Sequence, residues 1–501
     1  MRLAARAVAA GMLLVAAVAP TSLPAQDKKL AKVLDRRLDA APFDRLLWGV
    51  SVVDEKGKVL YARNADRMFI PASNLKLVVS TVAAMLLPPD WSVKTSVYAT
   101  GPVADGVLRG DLVLYGRGDP TMSRRCYGVD TTRPGACEAD FAAPLRRLVD
   151  SLKARGVRTI AGDIVGDGSW FEPTLVHRSW EGYDLNWYYA APVSGLGLND
   201  DAIDITWAPG PTPGGPPRIS FEPTWAGVTL ENRAFTVASD TTTIDFFREP
   251  GTLSLWAQGQ VGQTSAGGIE NFAFPDPNLF AARGLRAALA DAGIAVLGTT
   301  RSTTDSTLFA AARGQPALAE VASRPLRDWV FPILNSSQNW FAEMLVKQLG
   351  RQFGRSGSWS EGLSVERRVL IDSARIDSTQ FALVDGSGLA SGNLISPAAL
   401  TRLLQYAQHH PRFSTVAAAL PRAGSRGSLR TRFGGTPADG RVLAKTGSIA
   451  RVNTLSGYLE LDSGRMITFA VMANHHALPN QLVMAQIDSV VVDLARTLRR
   501  R

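Results

Sequence analysis

Cysteine, histidine and lysine are scarce in this chain, and each shortage removes a class of chemistry. Two cysteines, Cys126 and Cys137, are too few for a structural zinc site, and neither stands beside a histidine. The five histidines (His177, His409, His410, His475, His476) fall in no ligand spacing, so no metal is expected and each reads as surface or structural. No apolar run reaches the roughly 20 residues of a membrane span. Lysine plus arginine outnumbers aspartate plus glutamate, 54 to 45, but the basic residues are spread out rather than clustered with aromatics. That distribution argues against a nucleic-acid partner. It suits attraction to anionic envelope polymers, with at most peripheral membrane contact.

What is present begins with Arg2, Arg6 and an apolar stretch from Ala7 to Ala19, followed by small residues up to Ala25. This reads as a cleaved signal peptide over residues 1–25, which sends the chain to the periplasm or cell envelope. No cysteine follows the apolar stretch, so a lipoprotein anchor is not expected. In an exported chain, two cysteines 11 residues apart suggest one local disulfide, Cys126–Cys137, placed away from the motifs described below.

Hydrophobic residues make up 46% of the 501, enough for two or three domains. A helix is expected from Ala31 to Ala40, then a hairpin of Leu47–Val53 and Val59–Ala62 turning near Lys56-Gly57. From Leu75 to Leu87 the only charge is Lys76, so this reads as a buried helix, stopped by Pro88-Pro89. Between Val93 and Thr300 short strand-like runs alternate with Gly/Pro-rich turns such as Pro209–Pro217. The clearest helix there is Leu279–Ala292, ended by Gly293. Helical patterns return at Asn339–Leu349, Ser364–Ala374 and Pro397–Ala407. A hairpin of Leu455–Leu461 and Met466–Met472 follows, then a last helix, Gln481–Leu498. The fold class is therefore α/β (α+β). Residues 26–90 and 301–501 form one discontinuous domain in which the first and last hairpins share an antiparallel sheet covered by helices. Residues 91–300 form a mostly β insertion of one or two further domains.

Only ten lysines occur, and Ser73-x-x-Lys76 is the one place where a serine stands three residues before one. On a helix the two side chains share a face. A lysine in low-dielectric surroundings loses proton affinity, and a neutral amine can take a serine's proton. Ser337-Gln338-Asn339 opens a helix, with Ser337 as the expected N-cap. The same Ser-x-Asn pattern recurs at Ser391-Gly392-Asn393, so the spacing alone also fits an ordinary cap. Lys445-Thr446-Gly447-Ser448 leads into the last hairpin. A glycine there lets a ligand's backbone lie close to a strand edge, and a cation meets its carboxylate.

Ser-x-x-Lys, Ser-x-Asn and Lys-Thr-Gly, in that order, resemble the motif set of penicillin-binding proteins and serine β-lactamases. The chain is most similar to the class C low-molecular-mass penicillin-binding proteins, D-alanyl-D-alanine carboxypeptidase/endopeptidases with a β-lactamase/transpeptidase-like catalytic domain. The resemblance extends over essentially the whole chain after residue 25. It includes Gly116–Thr121, Gly162-Asp163-Ile164, Tyr189–Pro192, Asp385–Leu389, Leu420–Gly424 and Gly427-Ser428-Leu429, and the long separation between Ser73 and Ser337. It implies that Ser73 is the acyl-accepting nucleophile and Lys76 its base. Ser337 then relays the proton, and Asn339 orients the substrate amide. Lys445 and Thr446 hold the terminal carboxylate, while Lys445 also helps keep Lys76 neutral. The backbone N–H groups of Ser73 and Ser448 form the oxyanion hole. It further implies peptidoglycan stem peptides as substrates, β-lactams as covalent inhibitors and no cofactor. Asp184 and Tyr189 match the acid and aromatic that meet the stem side chain. Two departures stand out: Ala390-Ser391 where relatives often have Ser-Arg, and Ala450 where they present a polar group. The competing readings are a serine β-lactamase and a catalytically weak envelope-binding protein.

Overall fold

The chain's first strand and its last lie side by side. The computed structural model describes residues 26–125, 127, 140–249 and 251–499, so the expected signal peptide and the expected Cys126–Cys137 bond fall outside it. Five strands, β1 (Leu47–Val53), β2 (Val59–Arg63), β3 (Val442–Ile449), β4 (Val452–Glu460) and β5 (Met466–Asn474), form one sheet in the order β2-β1-β5-β4-β3. Every pairing in it is antiparallel. The helices that flank it are α1 (Lys28–Leu38), α2 (Lys76–Leu86), α3 (Leu326–Asn335), α4 (Asn339–Phe353), α5 (Trp359–Arg368), α6 (Pro397–Gln408) and α7 (Asn480–Leu498).

Burial explains the layering. Every residue of β1 after Leu47 is buried, so both faces of the sheet are covered. On one face α1 contributes Leu30, Leu34 and Leu38, spaced four apart, and α7 contributes Val483, Ile487 and Leu494. Helix α1 starts at Lys28, earlier than expected, because the Asp27 side chain accepts from the Lys29 and Leu30 N–H groups. On the other face α2 is buried along all but its last residue and packs against α3, α4 and α6. The helix that opens with Lys76 is therefore central to the molecule.

The inserted region has its own core. A five-stranded sheet joins Thr300–Thr303, Ile164–Asp167, Leu112–Tyr115, Lys94–Ala99 and Ala319–Ala322, in that order. Two of its pairings are parallel. Parallel strands need long crossovers, and these carry helices Ala143–Ala154 and Pro277–Asp291. The first of these helices was not expected from the turn-rich sequence around it. The strand Ala319–Ala322 pairs with Lys94–Ala99, so the inserted region runs past the boundary expected at 300. Among the described residues no helix is long and apolar enough to cross a membrane.

Candidate active site

Ser73 lies in a 3-10 turn, Ala72–Leu75, and α2 begins only at Lys76. The expected α-helical first turn is thus a tighter one, entered through Ala72 at a φ of 47°. A non-glycine residue in that region is strained, and such strain is tolerated where surrounding contacts fix it. Here Asn74 supplies them. Its Nδ2 donates to the Lys445 carbonyl at 3.1 Å and to Thr454 Oγ1 at 2.6 Å, while Thr454 Oγ1 donates to the Pro71 carbonyl at 2.9 Å. The turn is clamped against β3. Gly447 makes this approach possible, because a Cβ at that position would lie 2.8 Å from the Pro71 oxygen and 2.3 Å from Thr454 Oγ1.

Lys76 Nζ sits 2.8 Å from Ser73 Oγ and donates to the Ser387 carbonyl at 2.8 Å. The lysine is fully buried while Ser73 is half-buried. Burial pulls the Lys76 ammonium down to about 7, against the opposing pull of Asp385 and Glu343. Lys445 is held well below the ordinary lysine range, first by burial and then by repulsion from Lys76. Burial is the largest cause for each lysine.

Ser337 is not the N-cap of α4. Gln338 is, its Oε1 accepting from the Trp340 N–H at 2.8 Å. Ser337 stands at a φ of 62° with its hydroxyl turned to Lys445, whose Nζ donates to Ser337 Oγ at 2.8 Å and to the Thr446 carbonyl at 2.7 Å. Because the cap is made by the middle residue, the serine hydroxyl stays in the cleft. Thr446 Oγ1 donates to Ser428 Oγ at 2.9 Å, and Asn453 Nδ2 donates to Ser448 Oγ at 2.5 Å. Asn339 Nδ2 donates to the Tyr189 carbonyl at 2.8 Å, and Tyr189 Oη donates to Asp184 Oδ1 at 3.0 Å. Burial and the Asp184 carboxylate both push the Tyr189 hydroxyl upward, so it keeps its proton. All three motifs and the Asp184–Tyr189 pair are therefore joined by one run of hydrogen bonds.

Three features of this cleft lay outside the sequence expectations. Glu343, one turn beyond Asn339 on α4, is fully buried and accepts from the backbone of Gly386 and Ser387. Its i, i+4 spacing from Asn339 was the available signal. Asn393, from the second Ser-x-Asn pattern, donates to Asp385 Oδ1 at 2.8 Å and fixes that loop. Tyr127 also reaches the site: Ser336 Oγ donates to the Tyr127 carbonyl at 2.9 Å, and Gln338 Nε2 to Tyr127 Oη at 2.7 Å. Among the described residues no group of three or more His, Cys, Asp or Glu side chains is placed to hold a metal ion.

With that geometry established, comparison with known proteins decides the family. The profile of the D-Ala-D-Ala carboxypeptidase 3 (S13) family matches residues 30–494. The chain belongs to that family. S13 membership makes it a serine-type D-Ala-D-Ala carboxypeptidase, a hydrolase. It is 30% identical over 488 residues to a D-alanyl-D-alanine carboxypeptidase of an Actinomadura species, covering 93% of this chain and 84% of that one. It is 26% identical over 427 residues to the carboxypeptidase DacB of Mycolicibacterium smegmatis, covering 84% of this chain and 75% of that one. The crystal structure of penicillin-binding protein 4 from Haemophilus influenzae superposes with a TM-score of 0.77 at 21% identity, covering 93% of this chain and 98% of that one. This S13 chain shares that fold.

Proposed function

We propose that this carboxypeptidase acts on peptidoglycan stem peptides through an acyl-enzyme on Ser73, and that the 2.8 Å contact of Ser73 Oγ with a buried Lys76 Nζ carries this reading. The Ser73 hydroxyl gives its proton to neutral Lys76 as Oγ bonds to the carbonyl carbon of the penultimate D-alanine. Backbone N–H groups of Ser73 and Ser448 receive the oxyanion, Ser448 lying on the edge strand β3. The carbon–nitrogen bond to the terminal D-alanine then breaks, and its nitrogen takes a proton through Ser337. Water completes the cycle: it bonds to the acyl carbon, releases the shortened peptide and returns a proton to Ser73 Oγ. Lys445 and Thr446 hold the terminal carboxylate, Gly447 lets it approach, and Asn339 orients the scissile amide. Asp184 with Tyr189 receives an amine on the stem side chain.

A β-lactam ring presents the same carbonyl with its leaving nitrogen tethered, so penicillin is taken to acylate Ser73 and stay. One of the solved structures with this fold, penicillin-binding protein 4 of Haemophilus influenzae, is complexed with a β-lactam, which supports the reading. We also propose export after loss of residues 1–25, with Cys126 and Cys137 paired in the oxidising compartment. The decisive experiment is incubation with a fluorescent penicillin. Wild type is expected to carry one covalent adduct on Ser73 by peptide mass, and Ser73→Ala none; labelling that persists in the alanine variant overturns the assignment.

A further inference from the structure

The reaction above uses Ser73, Lys76, Ser337 and Lys445, and leaves unexplained why two buried carboxylates stand behind the base. Glu343 and Asp385 are fully buried, and Glu366 nearly so. Every contact to the Glu343 oxygens comes from an N–H donor. The Trp359 indole donates to Oε2 at 2.8 Å, Gly386 N–H to Oε2 at 3.0 Å and to Oε1 at 3.2 Å, and Ser387 N–H to Oε1 at 2.7 Å. Such a shell suits an ionised carboxylate, which only accepts; a protonated acid would have nothing to donate to. Asp385 accepts from the Gly388 and Ala390 N–H groups, the Trp180 indole and Asn393 Nδ2.

The segment 385–388 held this way has no slack. A Cβ on Gly386 would lie 2.3 Å from Val346 Cγ2 on α4, and one on Gly388 would lie 2.0 Å from the Ala72 carbonyl oxygen. The loop is wedged between α4 and the residue that precedes the nucleophile. Ser387 is the bridge: its N–H meets Glu343, and its carbonyl accepts from Lys76 Nζ. We propose that Glu343 is a positioning residue that, through the amides of Gly386 and Ser387, fixes the carbonyl on which Lys76 rests, and that its negative charge acts on Lys76 through the same short path.

The two effects oppose one another. Aiming the Lys76 amine at Ser73 speeds acylation, whereas a nearby negative charge favours the ammonium, the form that cannot accept a proton. The groups facing Lys76 are Asp385 and Glu343, which favour its charged form, and Lys445, which Lys76 itself pushes down. The groups facing Glu343 are Asp385, Glu366, Lys347 and the Trp359 indole. Burial and Asp385 push Glu343 up to about 7, while its four N–H contacts hold it down. Glu366 has no hydrogen-bond partner on Oε1 and is pushed well up by burial and by both neighbouring acids. Of these acids Glu366 therefore holds a proton most firmly, while the shell of N–H donors around Glu343 favours its charged form.

The inference rests on Lys76 acting as the base, and the test separates the two. The second-order rate of acylation by a penicillin is measured against pH for wild type, Glu343→Gln, Glu366→Gln and Lys76→Met. For Glu343→Gln, the plateau is expected to fall tenfold or more, because an amide N–H₂ faces N–H donors, while the acid limb moves to lower pH by about one unit. A part played only in packing would lower the plateau and leave the limb in place; that result, or a shift to higher pH, overturns the proposal. Glu366→Gln is expected to leave the limb unmoved, and an acid shift there would assign the charge to Glu366 instead and overturn it. Should Glu343→Gln not fold, Trp359→Phe removes one donor from the carboxylate, keeps an aromatic ring there, and is expected to move the limb in the same direction by a smaller amount; an unmoved limb overturns the proposal equally. Near-wild-type acylation by Lys76→Met would sink the base assignment itself, which the position of the limb in the other variants does not address.

Discussion

Two helix-borne lysines, Lys76 and Lys347, are fully buried, and only Lys76 lies beside a serine hydroxyl. Lys76 stands in the cleft; Lys347, two turns beyond Asn339 on α4, stands at the junction with the inserted region. Burial draws both below the ordinary lysine range, Lys76 to about 7 and Lys347 to about 8. Their partners differ. Lys347 Nζ donates to the carbonyls of Thr174 at 2.8 Å and Val193 at 3.1 Å, stands 3.5 Å from Glu172 Oε1, and lies 3.6 Å from the centre of the Trp359 ring. Each of these stabilises a fixed ammonium. Lys76 has one carbonyl and one hydroxyl, and the hydroxyl has a proton to give. Desolvation lowers a lysine's proton affinity wherever it is buried; a partner able to release a proton is what turns that into acid–base chemistry.

The comparison breaks most sharply under paired substitution. Lys76→Met should lower penicillin acylation by about 10³-fold, within the range ascribed to a general base, with little loss of thermal stability. Lys347→Met should do the reverse. It leaves Glu172 without its cation and two carbonyls without donors, so a loss of about 2–4 kcal/mol in chemical denaturation is expected, with acylation kept within tenfold. Equal behaviour of the two variants in either assay would mean that burial, and not the partner, decides. In the wild type, acylation should climb with pH up to about 7 and then level, because Lys76 must shed its proton before it can accept another from Ser73.

A smaller effect is expected where the cleft meets the inserted region. Asp184→Ala should lower kcat/KM about tenfold or more for stem peptides that carry a side-chain amine, while acylation by a penicillin lacking that side chain stays within threefold. The smallest concerns Ser391, which is exposed at the tip of the segment after Leu389. Ser391→Arg should raise kcat/KM several-fold for a diaminopimelate side chain with a free carboxylate and leave the amidated form unchanged. Matched synthetic peptides read both, and a wild type that already prefers the free acid tenfold would show that another cation supplies the contact.

Much of this was legible in residue order because local rules carry it. The two hairpins follow from alternation and turn residues, the buried α2 from its lack of charge, and the three motifs from their spacing. Other parts escaped for identifiable reasons. A three-residue offset brings Ser73 to Lys76 in a 3-10 turn as readily as in an α-helix, so spacing could not tell them apart. Ser337 and Gln338 can both cap a helix, and the choice depends on Lys445, more than a hundred residues away. Glu343, Asp385 and Asn393 are polar groups in the core whose partners lie on other elements. The strand Ala319–Ala322 is too short to reveal its sheet, so the inserted region was expected to end at 300.

The hydrogen bond from Asn74 to the Lys445 carbonyl spans 371 residues of sequence. A chain growing from its N-terminus therefore has Ser73 and Lys76 early, yet no strand edge to brace their turn until β3 emerges with about the last eighth of the sequence. Closing so long a loop is slow, and the contact cannot form before both of its ends exist. A chain truncated before β3 keeps every residue of Ser-x-x-Lys but lacks the strand that braces their turn, and it is expected to take up no fluorescent penicillin.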